Sequence, residues 1–199
     1  MIAALYTDGG VIRKNPSLIG GTWAWAQVDA SGERIHSECG VVKPFMKDEL
    51  GFYLPVTNNN TEMIALTKGL LSLPEGWSGT VYCDSKIALG WTFWEYNAEN
   101  VPAPLIAKAR LAVTRLGQIE TVLLDGHPTA AHLAANKGKR GGPVSVHNQH
   151  CDEECGRIGR EYLLANGDLL EAMGLKPEAT RDTVRKRRVL TAVASTDMT

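Results

Sequence analysis

Three strand-like runs stand in succession before any helical period appears, and that order limits the fold more than any single motif does. Ile2 to Tyr6 is apolar and halts at Thr7-Asp8-Gly9-Gly10, a turn signal, which puts Asp8 at the end of the first strand. Thr22 to Val28 alternates the bulky Trp23 and Trp25 with the small Ala24 and Ala26, the period of a half-buried strand. Asp29 to Gly32 reads as a tight turn, and Glu33 to Val42 returns as a third strand with Ile35, Cys39 and Val41 among its apolar members. The chain therefore opens on an antiparallel meander.

The pattern then changes. Lys43 to Val56 is loop-like, and Thr57-Asn58-Asn59-Asn60 offers side chains able to cap a helix. Met63, Leu66, Leu70 and Leu71 follow at helical spacing up to Pro74. Thr80 to Cys83 is a short strand ending at Asp84, and Ser85 to Trp94 reads as helix. A further helix opens at Pro102 or Pro104 and runs to Gly117, Glu120 to Leu124 is another strand, and Gly126-His127-Pro128 follows it. Thr129 to Pro143, rich in glycine and basic residues, reads as a mobile loop. Ser145 caps a last helix reaching about Ala165. A run of strands followed by alternating α and β elements implies an α/β protein: a mixed sheet covered by helices.

With 199 residues, 44% of them hydrophobic and 22% charged, the chain can bury one sizeable core. Residues 1–165 are expected to form it. Residues 166–199 read as an extension, either a basic helix over Glu178 to Ala194 or a partly disordered tail. The net charge of −1 does not announce a nucleic-acid binder, but two local basic runs, Lys137 to Arg140 and Arg185 to Arg188, can serve one. No secretory leader and no membrane-spanning stretch are read, so four free cysteines in a cytoplasmic, monomeric protein are expected.

Four acids occupy telling places: Asp8 and Asp84 at strand ends, Glu62 early in one helix and Asp152 in the first half of another. In open α/β sheets ligand sites lie at the carboxyl ends of strands. Crowded carboxylates raise one another's pKa, a cost that a hard divalent cation relieves. Each acid alone has an ordinary explanation in a turn or at a helix dipole.

Taken together, Tyr6-Thr7-Asp8-Gly9, Thr57-Asn58-Asn59-Asn60-Thr61-Glu62, Cys83-Asp84-Ser85 and His147-Asn148-Gln149-His150-Cys151-Asp152 resemble the four motifs of type 1 ribonuclease H, in the same order. Asn15-Pro16 and Gly126-His127 fall where that family carries the same pairs, and the likeness spans about residues 2–165. The resemblance implies a ribonuclease H-like five-stranded sheet, with three antiparallel strands and then parallel ones, flanked by helices. It implies hydrolysis of the RNA strand of RNA–DNA hybrids. Asp8, Glu62, Asp84 and Asp152 would hold two magnesium ions, with manganese able to substitute, and His127 would assist water activation or product release. His132 is the fallback histidine. Gly9, Asn15, Asn58, Asn59, Ser85, Lys86 and Asn148 would contact the hybrid, the asparagines through amides that both donate and accept to 2′-hydroxyls.

Three departures from the family stand out. Lys86 replaces a polar amide. The stretch from Ile87 to Pro104 lacks a basic protrusion and offers Trp91, Phe93 and Trp94, read as core. The insertion Thr129–Pro143 brings Lys137, Lys139 and Arg140 as substitute phosphate contacts. Three rival readings compete with this one. A catalytically idle binding module has no use for four acids that repel phosphate. A proofreading-type exonuclease would want a second acid at Gly10. A zinc site from His147, His150, Cys151 and Cys155 cannot close around an ion from one continuous helix. Cys39 and Cys83 read as small buried hydrophobes.

Overall fold

A computed structural model of the chain describes residues 1–43, 56–94, 96 and 103–172. Most of the loop expected between Lys43 and Val56 lies outside these residues, as do the helix expected over 178–194 and Arg185 to Arg188. The chain divides into one compact unit, Met1–Tyr162, and a second, Leu163–Thr199.

The meander forms as β1 (Ile2–Val11), β2 (Gly21–Asp29) and β3 (Arg34–Val42). Then come α1 (Asn58–Ser72), β4 (Gly79–Cys83), α2 (Lys86–Phe93), α3 (Ala103–Thr114) and β5 (Ile119–Leu123). The order closes with α4 (Ala130–Ala134), α5 (Val146–Ala165) and α6 (Gly167–Ala172). The sheet order is β3-β2-β1-β4-β5, antiparallel across β3-β2-β1 and parallel across β1-β4-β5. Thr7 lies opposite Cys83, which brings Asp8 and Asp84 to neighbouring strands.

Alternation along β2 sorts the core into two layers. Trp23 and Trp25 join Leu5, Met63, Leu66, Val81 and Leu105 on the face covered by α1 and α3. Ala24 and Ala26 face the other way with Ala4, Tyr6, Cys151 and Cys155. Small residues there let α5 approach closely, and the Cys151 and Cys155 thiols donate to the carbonyls of Tyr6 and Asp8. β2 is thus buried on both faces rather than half-buried as expected. β3, one of the two edge strands, is the more exposed one.

Two further expectations are corrected. β1 does not turn at Asp8 but runs on to Val11, pairing Asp8 with Ala24 and Gly9 with Trp23. The glycine is there for a close approach: a Cβ at Gly9 would lie 2.3 Å from the Thr61 carbonyl carbon. The segment Thr129 to Pro143 is not a featureless loop. It holds α4, started by a capping box between Thr129 and His132, and is tied down around Asp125. Helix starts fall where the sequence sets them, with Thr57 capping α1 and Ser85 capping α2.

Candidate active site

Four elements deliver four carboxylates to one cleft of about 630 Å3: Asp8 from β1, Glu62 from α1, Asp84 from the end of β4 and Asp152 from α5. Each is placed by a local reason. Asp8 is buried, and the Gly9 N–H donates to its Oδ1 (2.8 Å). Glu62 is buried beside it, because Gly9 lets the first turns of α1 touch β1. Asp84 follows β4 directly and presses against Gly126, where a Cβ would lie 2.3 Å from its Oδ2.

Burial drives the Asp8 and Glu62 carboxyls well above their usual range, and neighbouring carboxylates add to it: Asp84 and Asp152 for Asp8, Asp8 and Asp84 for Glu62. A hydrogen bond between the two holds Asp8 down and Glu62 up. Asp84 is raised by burial, with His127 and the Asn148 amide working against the shift. The Asn148 side chain is buried beside this site, yet neither its nitrogen nor its oxygen completes a hydrogen bond of good geometry.

Glu62 Oε2 and Asp84 Oδ1 are buried without hydrogen-bond partners. Among the described residues, Glu62, Cys83 and Asp84 form the one group able to converge ligand atoms, all within 4.8 Å of one another. Burial, then Glu62 and Asp84, push the Cys83 thiol well up, so it stays protonated. The donors on offer are therefore carboxylate oxygens, which suit a hard divalent cation.

Gly9, Asn58, Ser85, Lys86 and His127 also line the cleft. Asn15 stands exposed beside it, its Oδ1 accepting from the Asn58 N–H (3.2 Å), while Asn59 is exposed in the first turn of α1 without lining the cleft. The exposed His127 ring sets Nδ1 3.1 Å from Asp152 Oδ2. His132 is used in the α4 capping box instead.

The zinc reading fails on placement. Cys151 and Cys155 are buried in the second core layer, and His147 packs on Tyr6 with ring centroids 5.0 Å apart. Cys39 is only half-buried on β3, its thiol donating to Glu154, rather than a core residue. Trp91 is core as expected and Phe93 packs against it, but Trp94 is 37% exposed. Sequence reasoning passed over Asp125. Its signal was an acid directly after a strand, as at Asp84, followed by the glycines at 138 and 142.

No protein-family model and no curated protein sequence matches the chain. Solved structures do. The LC11 ribonuclease H1, isolated from compost and solved in complex with an RNA/DNA hybrid, aligns with a TM-score of 0.56 at 18% identity over 80% of this chain and 98% of that one. The N-terminal RNase H domain of rv2228c from Mycobacterium tuberculosis aligns with a TM-score of 0.53 at 15% identity, covering 82% of this chain and 98% of its own. RNase H1 from Halobacterium salinarum gives 0.52 at 16% identity, covering 79% and 97%. The chain has the ribonuclease H-like fold: a mixed five-stranded sheet flanked by helices.

Proposed function

We propose that this protein is a type 1 ribonuclease H, an endonuclease that hydrolyses the RNA strand of RNA–DNA hybrids. The observation that carries this reading is the meeting of Asp8, Glu62, Asp84 and Asp152 in a single cleft, with the buried oxygens of Glu62 and Asp84 left without partners. Two magnesium ions held by these four acids, with manganese as a substitute, would activate a water and neutralise the leaving oxygen of an in-line phosphoryl displacement.

The protein's own groups complete the chemistry. The Asp152 carboxylate accepts from the ring of His127, which keeps that imidazole at the cleft, where it can carry a proton at the attacking water or the departing 3′-oxygen. Asn15 and Asn58 present amides on one rim, where a 2′-hydroxyl would both donate and accept, and Asn59 follows in the first turn of α1 outside the cleft lining. Gly9 and Ser85 line the cleft, Asn148 is buried beside it, and Lys86 offers a point charge for a phosphate. Among the described residues no helix is long and apolar enough to cross a membrane.

The test is incubation of the purified chain with a labelled hybrid, with and without magnesium, beside duplex DNA, duplex RNA and the Asp8→Asn variant. Magnesium-dependent internal cuts confined to the RNA strand, absent in the variant, support the reading. Binding without cutting makes the protein an idle hybrid-binding module, and neither binding nor cutting overturns the assignment.

A further inference from the structure

We infer that Arg140 contacts a backbone phosphate of the nucleic acid in the cleft, and that the buried Asp125 carboxylate is the positioning residue that holds it there. This rests on the hybrid-cleaving reading above and adds to it a contact formed by the insertion.

Asp125 lies two residues past the end of β5 and is 6% exposed. Three N–H groups converge on its carboxylate: the Arg140 backbone (2.7 Å) and the Gly142 backbone (3.3 Å) on Oδ2, and Arg140 Nε (3.0 Å) on Oδ1. The insertion wraps closely around it, since a Cβ at Gly138 would lie 2.2 Å from the Asp125 Cβ and one at Gly142 3.1 Å from Oδ1. Backbone bonds from Asp125 N–H to the Pro143 carbonyl and from Gly138 N–H to the Gly142 carbonyl, both 2.8 Å, close the segment on itself.

If Asp125 served only to fasten the insertion, the two backbone N–H groups would suffice. The third bond fixes the direction of a guanidinium whose side chain is 68% exposed and lines the cleft. It engages Nε alone, and the two Nη nitrogens donate to no described residue. That is the end of an arginine that grips a phosphate with two parallel bonds. Of the basic residues in the insertion, Arg140 lines the cleft and Lys137 and Lys139 do not. Among the described residues the four carboxylates face only Lys86 and Arg140 as lysine or arginine cations there, so a polyanion entering this cleft meets few attractive charges, and each counts.

The experiment compares the full chain with Arg140→Gln, Arg140→Lys, Asp125→Ala and the double variant Asp125→Ala/Arg140→Gln. KM and kcat are measured on a hybrid, and binding is measured against salt with the Asp8→Asn form of each, which keeps the hybrid intact. Arg140→Gln should raise KM roughly tenfold with a smaller change in kcat, and flatten the slope of log affinity against log salt by about one unit. Arg140→Lys should restore the slope but only part of KM. Asp125→Ala should reproduce the KM of Arg140→Gln and add nothing to it in the double variant. Arg140→Gln sits on the surface and tests the contact even if Asp125→Ala misfolds. A wild-type chain that cuts hybrids beside an Arg140→Gln variant with unchanged KM and slope overturns this inference and leaves the proposed function standing. So does a loss confined to kcat. A wild-type chain that neither binds nor cuts hybrids overturns both.

Discussion

At Asp8 the chain buries a carboxylate among others, and the physical cost has a measurable sign. The folded-state pKa of Asp8 is raised by burial first and by Asp84 and Asp152 next, and that of Glu62 likewise by burial, Asp8 and Asp84. A carboxyl raised above its unfolded value contributes its full stability below that unfolded value, at about 4, and loses it as the pH climbs through the folded one. In the cation-free protein the contribution of these two acids should therefore be lost from about pH 4 upward. Asp8→Asn removes one of the crowded charges: it should abolish cleavage, yet in EDTA at pH 7 melt roughly 3 °C or more above wild type, the shift of about 1 kcal/mol in a chain of this size. That gap should close near pH 4 and shrink when magnesium is added, because the cation relieves the same repulsion. Thermal melts across pH check it, and a variant less stable than wild type in EDTA would show that the acids are not crowded. His127 differs, being exposed and joined to the site by the 3.1 Å approach to Asp152. His127→Ala should lower kcat by about 10²-fold without erasing activity, as loss of a general acid or base does when the rest of the site is intact. Complete loss in single-turnover assays would give it a larger role.

Between elements, the join of β1 and α1 decides whether the site assembles. A Cβ at Gly9 would fall 2.3 Å from the Thr61 carbonyl carbon and 2.4 Å from the Glu62 nitrogen, both backbone atoms that cannot turn aside. Gly9→Ala should push the first turns of α1 away from the sheet, cost about 1–3 kcal/mol as overpacking does, and reduce cleavage at least tenfold. Denaturant unfolding and activity measured together check this, and a variant with native stability and rate would mean the helix can shift freely. The same glycine marks where the sequence was misleading. Thr7-Asp8-Gly9-Gly10 has turn chemistry, but the demand for glycine came from a helix more than fifty residues later, which no local pattern displays. Thr57 and Ser85 cap their helices, and the Trp23, Ala24, Trp25, Ala26 alternation assigns the two faces of β2. The four acids were legible as a set because their motifs recur in order. The structure of the insertion was not, because its organiser, the Asp125 carboxylate, lies 15 residues before Arg140 and leaves no periodic signal.

For the molecule as a whole the difficulty is charge. Lysine and arginine number 21 against 22 aspartates and glutamates, and among the described residues the cleft is lined by four acids with only Lys86 and Arg140 as lysine or arginine cations. A substrate carrying a charge on every nucleotide must be held by more than that, and hybrid recognition through backbone and 2′-hydroxyls gives phosphate contacts a large share of the affinity. The largest remaining cationic run in the sequence is Arg185-Lys186-Arg187-Arg188, outside the described residues. If it supplies the missing contacts, a chain ending at Asn166 should keep its kcat, since the four acids and His127 all precede that point, while its KM rises. The slope of log affinity against log salt should fall by about 0.9 for each phosphate released, so by about 2–4 units if most of the run is engaged. Binding titrations of both chains from low to moderate salt separate the possibilities. A raised KM with an unchanged slope would mean that the tail helps without touching phosphate. An unchanged KM and slope would mean that residues 1–166 already hold every contact the hybrid makes, which would throw the whole attractive burden onto Lys86, Arg140 and the asparagine rim.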